Sequence, residues 1–277
     1  MQNTLDAIRG KKLHLSNFKI RHKVGKGSYG TVFAARHRQS GAVCAIKTIN
    51  KARLRTRGAE DLVKREVDIH SQLRYRGILE LYTWFEDSYN YFLVMEYAPG
   101  GELLRALRQE GPFCERRAAN YSAQIAAALQ YLHSKDVIHR DLKLENVLLQ
   151  ANGKLMLADF GLSVSLPPGT QLYDSCGTLD YRAPEALGGQ GYSREIDMWA
   201  LGVMTYEFLT GRLPFYSEDD AVVRERIVKA DITPLPTSVS YLAREYVHSL
   251  LELDPCWRLS CNEALLDPWI LEHCQRC

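Results

Sequence analysis

The sequence predicts an α+β fold in two lobes: a small antiparallel β-sheet lobe carrying one main helix, then a mainly α-helical lobe. Three observations carry this. From Phe18 to about Tyr97, short β-branched and aromatic runs are interrupted by one helical stretch, roughly Asp61 to Leu73. Beyond Gly100-Gly101 the apolar period becomes helical: Tyr121, Ile125, Leu129 and Leu132 recur at spacings of three and four, and Met198 to Leu209 is apolar nearly all round. A chain of 277 residues is long enough for two lobes sharing a cleft. The expected division is a short basic lead-in over residues 1–17, a first lobe over 18–98 and a second over 99–273.

The order of elements supports that division. Val43, Ala45 and Lys47 alternate onto one face of a strand, and Glu66 lies between Val63 and Val67 on the helix side that must face the sheet. In the second lobe, Val147 to Leu149 and Leu155 to Leu157 flank a turn containing Asn152-Gly153, a strong hairpin signal. There is no internal repeat and no low-complexity tract.

Composition narrows the function classes. A hydrophobic content of 46% and a charged content of 25% are those of a folded globular protein. The net charge of +2 gives no reason to expect a nucleic-acid partner, and the local run Lys51, Arg53, Arg55, Arg57 reads as a solvated loop face. The seven cysteines follow no extracellular spacing, and the first residues lack the apolar run of a signal peptide, so reduced thiols in cytoplasm or nucleus are expected. Cys274 and Cys277 form a C-x-x-C without a second pair, which argues against zinc. No window reaches the length of a membrane span, so no membrane partner is expected either.

The chemistry-bearing motifs come in a fixed order. Gly25-Lys26-Gly27-Ser28-Tyr29-Gly30 lacks side chains where main-chain N–H groups could approach a polyphosphate. A dinucleotide-binding loop of similar pattern should open into a helix and reach an acid about 20 residues on, whereas a strand follows here. Lys47 and Glu66 can pair to hold an ammonium against α- and β-phosphates. His139-Arg140-Asp141-Leu142-Lys143-Leu144-Glu145-Asn146 precedes the hairpin and Asp159-Phe160-Gly161 follows it. Folding that hairpin brings Asn146 and Asp159 together as oxygen ligands for Mg²⁺. Asp141 is left to orient a substrate hydroxyl and take its proton, and Lys143 to offset charge on a transferring phosphoryl group. Ala183-Pro184-Glu185 completes the set.

On these residues, from about Phe18 to Trp269, the chain resembles the eukaryotic protein kinases. The resemblance implies their bilobal fold and transfer of the γ-phosphate of Mg-ATP to a protein hydroxyl. It also implies that Glu185 pairs with Arg258 and that Asp197 anchors the catalytic loop. Met95 falls at the gatekeeper position, Glu96 to Ala98 at the adenine-binding hinge, and Val24, Val32, Ala45 and Leu148 around the base. With Gly25, Gly27, Gly30 and Lys47, these form the implied ATP site. Lys143 and Gly177-Thr178 look like the serine/threonine branch.

Within that branch, Glu96-Tyr97-Ala98-Pro99, Ser163-Val164 and Cys176 to Tyr181 are similar to Aurora kinases. Ile69 to Leu73, Ile78 to Tyr82 and Phe85 to Ser88 are similar to the centriole-duplicating Polo-like kinases. Both likenesses point to cell division, with a centrosome or spindle address, a monomeric catalytic domain and an activator docking on the first lobe. The chain departs from Auroras at Leu162, where they carry Trp, at Leu144, where they carry Pro, and at Asp174, where they carry the activating threonine. An aspartate brings one negative charge against about −1.5 to −2 for a phosphate, so Asp174 is expected to substitute for it in part by pairing with Arg140. Glu102, Glu145 and Glu207 match positions that hold arginines upstream of the acceptor in basophilic kinases, so basic substrate contexts are expected. A pseudokinase scaffold is the competing function class, but Lys47, Glu66, Asp141, Asn146 and Asp159 are all intact.

Overall fold

A computed structural model of the chain describes residues 6–27, 30–56 and 59–274. Ser28 and Tyr29 of the glycine-rich loop, Arg57 of the basic run and Cys277 of the C-x-x-C lie outside the described residues.

The first lobe is built on a five-stranded antiparallel sheet in the order β1-β2-β3-β5-β4. The strands are β1 (Phe18–Lys26), β2 (Gly30–His37), β3 (Val43–Asn50), β4 (Leu81–Glu86) and β5 (Asn90–Met95), with α1 (Lys51–Arg55) and α2 (Glu60–His70) between β3 and β4. The period-2 alternation of β3 sorts its residues onto two faces. Ile49 joins Leu81, Leu93 and Met95 against Val63 and Val67 of α2. Cys44 and Ile46 join Phe85, Phe92 and Val94 on the opposite face.

That opposite face is closed by the lead-in. Ile8 and Leu13 are buried against it with Phe18, and Arg9 forms a two-pronged ion pair to Glu80 at 2.9 and 2.7 Å. Each such aliphatic side chain withdrawn from water contributes about 1.5–3 kcal/mol. The lead-in therefore belongs to the packed lobe from Asp6 onward.

Helix α2 stops earlier than the expected Leu73. Ser71 Oγ and Gln72 Nε2 both donate to the Asp68 carbonyl, an alternative partner that competes with further helical turns. The basic run starts on α1, where Lys51 is tied to Glu86 at 2.7 Å and lies 4.8 Å from the Tyr91 ring centroid.

The second lobe contains β6 (Gly101–Glu102), α3 (Leu103–Glu110), α4 (Glu115–Ser134), β7 (Val137–Ile138), β8 (Val147–Leu149), β9 (Leu155–Leu157) and β10 (Val164–Ser165). The helices α5 (Pro184–Leu187), α6 (Glu195–Thr210), α7 (Asp220–Val228), α8 (Tyr241–Leu250), α9 (Cys261–Leu266) and α10 (Pro268–Cys274) complete it. Every residue from Ile196 to Leu209 is buried, so α6 is the central post expected of a helix apolar all round. No helix among the described residues is long and apolar enough to cross a membrane.

Candidate active site

The β8–β9 hairpin positions the site. Gly153 adopts φ 77° at its turn, and the strands pair with Val147 opposite Leu157 and Leu149 opposite Leu155. The Ala158 N–H donates to the Asn146 carbonyl at 2.8 Å, which sets Asn146 and Asp159 side by side. The Leu79 N–H donates to the Leu157 carbonyl at 2.9 Å, so the same hairpin is stitched to the first lobe.

Lys47 lies 2.7 Å from Glu66 Oε1 and 2.8 Å from Asp159 Oδ1, joining β3, α2 and the post-hairpin loop through one buried ammonium. Burial works against its charge, but the Asp159 and Glu66 carboxylates outweigh burial and hold its pKa above the ordinary lysine value. The Lys47 ammonium in turn holds Asp159 down to about 2, while burial pushes Glu66 up.

The 139–146 loop hangs from Asp197. The main-chain N–H groups of His139 and Arg140 donate to its two oxygens at 3.0 Å each, and His133 Nε2 lies 2.9 Å away. Arg140 and Asp159 sit at φ 68° and 60°, left-handed conformations that cost free energy and persist where surrounding contacts fix them. For Arg140 those contacts are the Asp197 bond and a side-chain bond from Nε to the Leu162 carbonyl at 2.7 Å.

Asp141 is held on both oxygens. Oδ2 accepts from Lys143 Nζ at 2.8 Å and Asn146 Nδ2 at 3.1 Å; Oδ1 accepts from the Thr178 N–H at 3.1 Å and its hydroxyl at 2.9 Å. Lys143 also reaches the Thr178 hydroxyl at 2.7 Å. Thr178 is brought this close by Gly177, at φ 83°, where a β-carbon would lie 2.6 Å from the Arg140 carbonyl oxygen. The Asn146 amide spends its N–H donors on Asp141, including the main-chain carbonyl at 2.8 Å, so its oxygen is oriented as an acceptor. With the second oxygen of Asp159 it forms a hard-donor pair of the kind Mg²⁺ selects.

The expected base-binding residues divide by burial. Ala45 and Met95 are cross-strand partners and both buried, Ala98 joins the same apolar cluster, and Leu148 packs against it from β8. Val32 is partly buried opposite Gly25, and Val24 is exposed. The Glu96 side chain accepts from Gln150 at 3.1 Å and lines a groove with Arg74 and Lys154, and its N–H donates to the Glu80 carbonyl at 2.9 Å, so its main-chain carbonyl is left for a base.

Asp174 meets Arg140 as expected, with Nη1 at 3.0 and 2.9 Å from its two oxygens. No local pattern pointed to a third member, Tyr192, whose hydroxyl donates to Asp174 at 2.8 Å and accepts from Arg140 at 3.1 Å. A two-way main-chain bridge between Leu172 and Tyr192 places that hydroxyl. Against the effect of partial burial, Tyr192 and Arg140 hold the Asp174 carboxyl below its ordinary range.

Of the three acids matched to substrate arginines, Glu207 is buried, accepts the Tyr181 hydroxyl at 2.6 Å and is pushed up to about 7 by burial. Oxygen Oε2 of Glu145 is buried without a hydrogen-bond partner among the described residues. Glu102 is exposed, with Oε1 3.8 Å from where a Gly25 β-carbon would stand.

Two buried histidines were not anticipated. His70 on α2 meets Phe160 in a tilted ring contact at 4.5 Å, and Phe160 continues to His139 at 5.1 Å. Burial lowers the His70 pKa to about 4, against a bond to the Leu79 carbonyl, with Lys47, Arg74 and Asp159 also facing it. His133 is opposed by burial but raised to about 9 by Asp197 and Cys261. The two histidines therefore contribute most to stability near neutral pH, while the raised Glu207 carboxyl opposes the acid limb. Below about 6.5 the unfolded chain binds the proton that folded His70 refuses, and stability falls by about 3 kcal/mol towards pH 4. Above about 6.5 the unfolded chain releases the proton that folded His133 keeps, and stability falls by a similar amount towards pH 9. Urea titrations across pH should show that His70→Leu flattens the acid limb and leaves the alkaline limb; two unchanged limbs would refute the assignment.

A family model described as the protein kinase domain matches residues 18–270. The chain belongs to the protein kinase family. Within it the likeness is to Aurora kinases: 43% identity over 94% of this chain to Aurora kinase A-A of Xenopus laevis, of which 64% is covered. Identity is 40% over 96% of the chain to Aurora kinase B of Danio rerio, 82% covered, and 40% over 95% to an Aurora kinase of Candida glabrata, 73% covered. The chain thus spans just under two thirds of the first of these kinases. The Aurora likeness read from the sequence is borne out, and this kinase domain shows the two-lobed architecture expected.

Proposed function

We propose that this kinase domain is a serine/threonine protein kinase that transfers the γ-phosphate of ATP to protein hydroxyls in cell-division control. The observation that carries the reading is the joint placement of Lys47 between Glu66 and Asp159 with Asp141 held by Lys143, Asn146 and Thr178. ATP would lie with its base between Val32, Ala45, Met95, Ala98 and Leu148 and its phosphates under Gly25, Gly27 and Gly30 beside Lys47. Asn146 and Asp159 would hold Mg²⁺, which when bound offsets phosphate charge. Asp141 orients the acceptor hydroxyl and takes its proton, while Lys143 lies where charge develops on the transferring group. The orphan oxygen of Glu145, with the exposed Glu102, supports a preference for basic residues upstream of the acceptor, whereas Glu207 is taken up by Tyr181. A monomeric catalytic domain, an activator on the first lobe and a centrosome or spindle address complete the proposal.

The test is phosphate transfer from Mg-ATP to an arrayed Ser/Thr/Tyr peptide library, beside an Asp141→Asn control. Transfer to Ser or Thr downstream of Arg, reduced by roughly 10²–10⁴-fold in the control, is expected, and Glu145→Gln should flatten the Arg preference. Tyr acceptors, or a profile unmoved by Glu145→Gln, would refute the corresponding part.

The Arg140–Asp174–Tyr192 cluster supports basal activity without loop phosphorylation, because the carboxylate already supplies charge-assisted bonds to the guanidinium. Phosphatase treatment should leave wild-type activity unchanged. Asp174→Ala should lower it about tenfold, discounting a half-exposed pair for screening. Equal activity of treated wild type and Asp174→Ala would remove the idea.

A further inference from the structure

The small net charge conceals a strong polarity along the chain. Fourteen of the 35 Lys and Arg fall between Ala7 and Ala59, where there is no Asp or Glu; from Glu60 onward 21 face 32 acids. Some of the fourteen are answered from later in the chain: Arg9 by Glu80, Lys47 by Glu66 and Asp159, Lys51 by Glu86. Lys19, Arg21 and Lys23 on β1 and Arg36 on β2 are exposed, and none has an acidic partner among the described residues. Lys19 and Arg36 are moreover direct cross-strand partners, a like-charge placement that destabilises a sheet unless something anionic lies over it.

We infer that β1 and β2 form a docking surface for an acidic, extended segment of a partner protein. β1 is the outer strand of the sheet, so among the described residues its outer main-chain edge has no strand beside it. An extended polypeptide can add to such an edge through main-chain hydrogen bonds, taking specificity from alternate side chains. The register of β1 shifts between Ile20 and Lys23, so Lys19 lies opposite Arg36 and Lys23 opposite Phe33, and the cations flank the outer strand on both of its faces. Of the exposed side chains beside them, Ile20 and Val24 are aliphatic and His22 is an imidazole. Among the described residues no Phe, Tyr or Trp side chain is exposed on β1 or β2, so His22 alone offers a ring there, short of the run of stacking platforms that single-stranded nucleic acid uses. Edge cations also discourage pairing between copies of a protein. One or two suffice for that, whereas here the run extends through Lys11, Lys12 and Arg38 with no acid among them.

The experiment uses fluorescence anisotropy on the whole chain with a labelled peptide alternating Glu and Val. Its Gln-Val counterpart, a short DNA duplex and phosphatidylserine vesicles serve as competitors. The Glu peptide should bind at least tenfold more tightly than the Gln peptide, weaken as salt is raised, and resist competition by duplex or vesicles. The variant Lys19→Glu/Arg21→Glu/Arg36→Glu should lose at least tenfold in binding while keeping its activity on a short peptide substrate. The milder Lys19→Gln/Arg21→Gln/Arg36→Gln variant, which removes charge without reversing it, should lose binding too if the first fails to fold. Equal binding of Glu and Gln peptides, binding unmoved in both variants, or preferential capture of duplex or vesicles would overturn the inference.

Discussion

Replacing Lys47 with Met should slow phosphate transfer by roughly two to three orders of magnitude and should also destabilise the fold. The ammonium lies between Glu66 Oε1 at 2.7 Å and Asp159 Oδ1 at 2.8 Å. Without it the buried Glu66 carboxylate loses its countercharge, which costs about 3–5 kcal/mol for a buried pair, while Asp159, 39% exposed, is partly relieved by solvent. Glu66, already raised by burial, would rise further, and Asp159 would lose the charge that holds it at about 2. A Lys47→Met/Glu66→Leu double variant separates the two effects. Its midpoint in urea should recover most of the loss, because apolar groups of similar volume replace the pair. Its transfer rate should stay at the level of Lys47→Met. Recovery of both would mean that the ammonium acts only as a strut between α2 and the sheet.

Much of this site was legible because its parts are short, contiguous and rigid. Asn152-Gly153 between two apolar triplets fixes a hairpin, and a hairpin fixes the distance between what precedes and follows it; Asn146 and Asp159 came out adjacent for that reason alone. The Lys47–Glu66 pair was legible for a similar reason, since strand period and helix face each leave one orientation. What the sequence could not convey depends on long-range closure. Tyr192 is 18 residues from Asp174 and reaches it through a single two-residue bridge that no local pattern announces. His70 and His133 sit among apolar residues at helical spacing, where a histidine looks like an exposed polar position until its helix is packed. The short basic lead-in carried no pattern of its own to read, yet Ile8 and Leu13 find an uncovered sheet face that only the assembled strands create.

Glu185→Ala should be among the most destabilising single substitutions in the molecule, at about 3–5 kcal/mol. Arg258 is fully buried, and its guanidinium is satisfied from several directions. Nη1 and Nη2 donate to the two Glu185 oxygens at 2.6 and 3.0 Å, Nη1 to the Glu195 carbonyl at 3.0 Å, and Nε to the Glu252 carbonyl at 3.0 Å. Its plane lies 5.1 Å from the Trp199 ring centroid. Deleting the carboxylate leaves a cation with dipoles but no countercharge in the interior, and a domain whose whole stability is about 5–15 kcal/mol cannot absorb that easily. Arg258→Lys should fare nearly as badly, because one ammonium cannot reproduce a planar fork reaching α5, the start of α6 and the 252–258 loop at once. Arg258→Met/Glu185→Leu, by contrast, should be close to wild type in urea, since the desolvation of both charges disappears together with their attraction. The cycle also tests whether the pair acts on catalysis. α5 begins two residues after Arg182, whose Nη2 donates to the Gly177 carbonyl at 2.6 Å, next to the Thr178 that holds Asp141. If a stable double variant keeps its KM for peptide but loses kcat, the ion pair positions that segment as well as bracing the lobe; if both constants are unchanged, packing alone sets it.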